Sequence, residues 1–210
     1  MSPRGIRTAG RRLVRVSIWL LSALIVVALL AVIYVRSNPL VFNESLWQHA
    51  HCIKIAGLQL HGHAHDHGGK FPFHPKGYGN ALLLLDPDTY FALTGPGYDA
   101  APFHAAKLTG KDLSEEDCGR VYVQRLTTKS NSEIALLFDK LPTPGGDHCH
   151  FPNRLWARLG REVWFVSGHM EFVAESSWPE FAQKQVKLLV EEGFDREEAE
   201  GLFAAKSEQR

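Results

Sequence analysis

The nineteen residues from Ser17 to Val35, SIWLLSALIVVALLAVIYV, carry no charge, and they constrain the rest of the chain more than any other stretch. As a helix they extend about 28 Å, close to the roughly 30 Å hydrocarbon core of a bilayer. They predict an N-terminal transmembrane helix. Trp19 and Tyr34 stand near its two ends, where amphipathic rings favour the headgroup zone. Arg4, Arg7, Arg11, Arg12 and Arg15 precede the span and Arg36 follows it directly. The excess of positive charge before the span predicts a cytoplasmic N-terminus and an exterior remainder. The competing reading is a cleaved signal peptide, but the apolar run exceeds the usual length of such a segment and no Ala-x-Ala site follows it. Arg11-Arg12 also suggests a twin-arginine signal, although arginine pairs beside a span commonly serve orientation alone.

The expected division is a basic tail (1–16), the span (17–35), a juxtamembrane linker (36–42), an α+β domain (43–175) and a C-terminal helical extension (176–210). Residues 1–36 hold six arginines and no acid within a chain of zero formal charge, so the remainder carries a net charge of −6. Nucleic-acid binding needs a concentrated basic surface and is not expected. The three cysteines, Cys52, Cys118 and Cys149, would lie in an oxidising space that permits one disulfide. Composition does not settle which two pair; the expected pair is Cys118 with Cys149.

Beyond Asn38-Pro39 a second helix is predicted from Asn43 to Asp66. Leu46, Ala50, Ile53, Gly57, Leu60 and Ala64 recur at spacings of 4 and 3 and form one apolar face. Gly68-Gly69 and Pro72 end it. A short helix is expected at Ala81–Leu85, with loop at Thr94–Pro102. Strand-length runs fall at Arg120–Leu126, Ile134–Phe138, Glu162–Val166 and His169–Val173, with Leu141–Asp147 as loop. Ser167-Gly168 reads as a two-residue hairpin turn. Ser177-Trp178-Pro179-Glu180 and Asp195-Arg196-Glu197-Glu198 each open a C-terminal helix. The expected fold is α+β, with an amphipathic helix packed on a small antiparallel sheet.

Several segments resemble, in order, a bacterial family of type IV pilins and type II secretion pseudopilins. They are Cys52-Ile53-Lys54 with Ala56–Leu60, the turn Ala64-His65-Asp66-His67-Gly68-Gly69-Lys70-Phe71-Pro72, Val121–Val123 with Leu126-Thr127, Leu137–Lys140, and Val163–Val173. The last is similar to the end of a family motif of His, nine residues, then Asp-Gly. The resemblance implies a pilin-like fold and a place in a secretion or pilus-type assembly. Three features depart from the family pattern. Gly10 is followed by Arg11-Arg12 and the span holds no Glu; Ser167 replaces the Asp; and His150 lies 17 residues before Ser167.

Eleven histidines raise the question of metal. On a helix His61 and His65 share one face and His63 and His67 a roughly opposite one, so the four cannot meet at one ion. His61 with His65, completed by His74 or Asp66, is a candidate zinc or copper pair, and His148, Cys149 and His150, approached by His169, is a second set. Related pseudopilins hold calcium in a late loop; Asp139 and Asp147 are the matching residues here. For catalysis, Cys149 beside His148 or His150 lacks an orienting third group, and Ser167 joins two strands, which is not a nucleophile-elbow context. The expectation is therefore a non-enzymatic, membrane-anchored pseudopilin-like protein without a cofactor. It would sit singly spanning a bacterial inner membrane, with its C-terminal domain in the periplasm and secretion-system proteins as partners. The alternative is a periplasmic His-rich protein binding zinc or copper.

Overall fold

In the computed structural model the first helix, α1, covers residues 19–31, and the described residues are 19–31, 53–95, 98–145 and 158–204. This corrects the expected transmembrane helix: among the described residues no helix is long and apolar enough to cross a membrane. The thirteen described residues of α1 rise about 20 Å, against a core of roughly 30 Å. The remainder of the expected span, residues 17–18 and 32–35, lies outside the described residues, as do the linker and the start of the second helix. The chain divides into two units, Met1–Phe42 and Asn43–Arg210. The C-terminal helices belong to the second unit with the sheet.

Helix α2 (Ile53–Asp66) buries Ile53, Ala56, Gly57, Leu60 and Ala64, the face that the 4-3 spacing selects. Burial of Ile53 and Leu60 contributes about 1.5–3 kcal/mol each, which outweighs the roughly 1 kcal/mol that Gly57 costs inside a helix. Gly57 is there because the Trp164 indole occupies the space a Cβ would need. After Gly68 and Gly69, both left-handed, the chain turns back. Lys70 then bridges Thr127, and Thr128 N–H donates to the Gly69 carbonyl at 2.8 Å.

Three short helices follow: α3 (Tyr78–Leu82), α4 (Tyr90–Thr94) and α5 (Ala101–Thr109). The expected helix at 81–85 is thus displaced towards the N-terminus, and α4 and α5 were hidden by the local glycine and proline content. Pro102 sits in the first turn of α5, where its missing N–H costs nothing, and Gly110 closes the helix with φ 66°.

The strands are β1 (Arg120–Tyr122), β2 (Ala135–Asp139), β3 (Thr143–Gly145), β4 (Arg158–Phe165) and β5 (Met170–Ala174). β2 and β3 lie end to end along one edge of β4, with Phe138 opposite Val163 and Thr143 opposite Gly160. They act as one interrupted strand, so the sheet has four antiparallel rows in the order β1, β2/β3, β4, β5. At the interruption the Lys140 carbonyl accepts from Arg161 Nη1 at 2.7 Å. The β4–β5 hairpin turns through three residues, Val166–Gly168, not two; Phe165 N–H donates to the His169 carbonyl and Gly168 adopts φ 81°.

α2 covers one face of the sheet, and α6 (Trp178–Glu191) with α7 (Arg196–Phe203) covers the other. On that second face the Phe138 ring stacks on Phe203 at 4.7 Å and meets Trp178 at 5.5 Å. Asp195 caps α7, accepting from the N–H groups of Glu197 and Glu198. Ser177 makes no side-chain cap, so the expected capping box of α6 is not formed; Pro179 in its first turn remains.

Candidate functional site

Among the described residues, the candidate metal residues His61, His65 and His169 are not gathered into a site. His61 lies edge-on to Phe71 at 5.2 Å and to Trp164 at 6.1 Å, and burial lowers its pKa, so it packs as a neutral ring. His65 is exposed. His63 and His67 stack at 3.8 Å, with His67 Nδ1 against the His63 carbonyl at 2.7 Å, and burial and the neighbouring His67 lower the His63 pKa. His169 stacks on Phe165 at 4.2 Å. Among the described residues no three His, Cys, Asp or Glu side chains converge as metal ligands. Asp147, His148, Cys149 and His150 lie outside the described residues, as does Cys52.

Cys118 is buried, forms no disulfide among the described residues, and lies against the Ser114 carbonyl at 3.6 Å. Burial pushes its pKa up to about 12, against the opposing pull of Lys140. A thiol so held stays protonated and is a poor nucleophile. Asp139, the calcium suggestion, is not on a loop surface; it is fully buried in β2 with Arg120 Nε 3.3 Å away. Its Oδ2 also accepts from the Glu162 N–H at 3.1 Å. Glu162 completes a buried row of Arg120, Asp139 and Glu162 across three strands, on the α2 side of the sheet. Burial first, then the Asp139 charge, pushes the Glu162 carboxyl up to about 8, with Arg120 opposing. The row thus favours the protonated form of Glu162 beside the Asp139–Arg120 ion pair.

Ser167 Oγ stands 2.6 Å from His169 Nδ1. Sequence reasoning passed over this hydroxyl–imidazole pair because the turn lacks a strand-to-helix context. Both residues are exposed at the hairpin tip, and Glu133, whose field reaches His169, is bound to Lys184 at 2.7 Å. The pair holds the tip of the turn and has no cleft of its own.

The recess most suited to a ligand or partner is a cleft of about 580 Å³ beside β1. One wall is the Phe73–Tyr78 segment, the other is α7 with Phe194, and Val121 and Phe138 contribute the floor. Its cations are tied down. Arg161 grips Glu175 with two bonds, at 3.1 and 3.2 Å, and lies 4.4 Å over Trp178. Lys140 Nζ donates to the carbonyls of Glu115 and Cys118. Arg125 pairs with Glu198 and lies 4.2 Å over the Phe194 ring. Arg125 also has φ 69°, a left-handed conformation that costs a non-glycine residue about 1–2 kcal/mol. The ion pair and ring contact hold it there, so the outlier sits at the rim of the cleft, where strain often marks function. The cleft thus offers aromatic surface framed by neutralised charge, suited to an apolar side chain with a polar flank. Sequence reasoning missed it because its residues come from six separate segments of the chain; the only signal was the Asp195–Glu198 capping pattern that starts α7.

No family profile, curated protein or solved structure matches this chain.

Proposed function

We propose that the chain is a non-enzymatic, pseudopilin-like module that works by contact within a secretion or pilus-type assembly, on the periplasmic side. The observation that supports this reading most is the joint between the Ala64–Pro72 turn and the Leu126-Thr127 segment. These two stretches carry much of the sequence resemblance, and they meet through the Lys70–Thr127 bridge and the Thr128-to-Gly69 hydrogen bond. Helix α2, the turn and the sheet follow one another along the chain in the order the proposal needs, which supports the reading. The cleft between α7 and Phe73–Tyr78 supplies a surface on which a partner's apolar side chain would seat.

A photo-crosslinking residue placed at Phe73, which is exposed at the rim, tests the reading in a cell that carries the chain. The expected result is adducts with subunits of a secretion or pilus-type assembly, lost when Phe194→Ala alters the cleft. Adducts with no such subunit, together with stoichiometric zinc or copper in the purified protein, would replace it with the metal-binding alternative.

A further inference from the structure

β5 pairs with β4 along one side only, and no described strand lies along its other side. Phe165 N–H bonds the His169 carbonyl, and the register continues with Val163 opposite Glu171 and Arg161 opposite Val173. Antiparallel ladders alternate, so these pairs exchange the inward hydrogen bonds and the main-chain groups of Met170, Phe172 and Ala174 point outward. All three residues are only half-buried. The strand has none of the usual guards against edge pairing: no lysine, no proline and no bulge. Its single charge, Glu171, belongs to the inward-bonding set.

We propose that β5 is the docking edge for a second copy of this chain, added antiparallel about a twofold axis through Phe172. The sequence of the edge is self-complementary in that register. Phe172 faces its own copy, Met170 faces Ala174, and the outward groups of these residues form about six interchain hydrogen bonds. Glu171 falls opposite Val173, so the one carboxylate on the strand does not meet its equivalent, and like charges directly opposed would be destabilising. At the ends of the ladder His169 comes opposite Glu175, whose carboxylate is held within its own copy by Arg161, so no like charges meet there. The closed twofold uses the same patch on both copies and leaves no further β5 edge to propagate. The pairing is independent of the proposed function.

Two substitutions in the full chain test it, read by native mass spectrometry and by light scattering over a concentration series. Phe172→Lys places two ammonium groups face to face and should raise the dimer dissociation constant by about tenfold or more, while Glu171→Lys, facing Val173, should change it far less. The Phe172 ring packs over Gly160, so the lysine variant carries a folding risk. Phe172→Cys covers it: bonded antiparallel pairs place their Cα atoms about 5.5 Å apart, within disulfide range. Mild oxidation should then yield a covalent dimer in which peptide mapping finds the two introduced thiols joined to each other. A chain that is monomeric throughout the series, a dimer indifferent to Phe172→Lys, or an oxidised Phe172→Cys variant without that linkage would overturn the proposal.

Discussion

A methyl group built on Gly57 would overlap the indole of Trp164, so helix and sheet approach one another as closely as a bare backbone allows. Gly57→Ala is therefore expected to lower stability by about 1–3 kcal/mol despite alanine's better helix propensity. Gly62, in the same helix, has nothing within 4 Å of its added Cβ, and Gly62→Ala should stabilise by about 0.5–1 kcal/mol. Urea unfolding of the two variants side by side gives opposite signs if the contact is as described.

Glu162 makes stability depend on pH in a definite direction. Its folded pKa of about 8 lies above the ordinary carboxyl value of 4.5, so the folded state holds the proton more tightly. The contribution is complete below about pH 4.5, is lost as pH rises towards 8 and is flat beyond, amounting to a few kcal/mol in order of magnitude. Glu162→Gln, which stays neutral, should remove that part of the slope. Unfolding free energies of the parent and variant should diverge between about pH 5 and pH 9, with the variant gaining relative stability at the alkaline end.

Arg161 binds Glu175 through two nitrogens, takes the Lys140 carbonyl with a third and roofs over Trp178. Arg161→Met keeps most of the bulk but leaves a half-exposed carboxylate and a carbonyl without their partner. A loss of about 2–3 kcal/mol is expected, lowering the thermal midpoint by several degrees.

Removing the Asp195 cap should act more mildly. Asp195→Ala leaves the first N–H groups of α7 without an acceptor and is expected to cost about 1 kcal/mol. Because α7 walls the cleft, hydrogen exchange at Glu197 and Glu198 should accelerate first, before the sheet amides respond.

The legible parts of the fold were those fixed by local periodicity. Ile53, Gly57, Leu60 and Ala64 declared the buried face of α2, and Asp195 with Glu198 declared the start of α7. Alternation of the histidines on that helix anticipated that His63 and His67 would pair away from His61. What escaped was set by tertiary context. Pro102 looked like loop because its role as a first-turn residue depends on the helix behind it, and Pro144 hid β3, which exists only by lying along β4. Nothing local marks the charged residues of the strands as interior; Arg120, Asp139 and Glu162 are buried because they answer one another across three strands. The apolar run from Ser17 gave a length from composition alone, and among the described residues no helix is long and apolar enough to cross a membrane.

β4 is paired on both sides, and its two neighbours are not equivalent in time. β5 follows after only three turn residues, a hairpin that closes in about 1–10 μs, whereas β2 and β3 are separated from β4 by a longer stretch of sequence and β1 by a longer one still. Loop closure must precede every one of those later pairings, so the sheet is expected to grow outward from the Val166–Gly168 turn towards β1, with α7 sealing it last. Substitutions at Gly168 should then slow refolding, while those at Phe203 should mainly hasten unfolding, and a chevron plot would separate the two limbs.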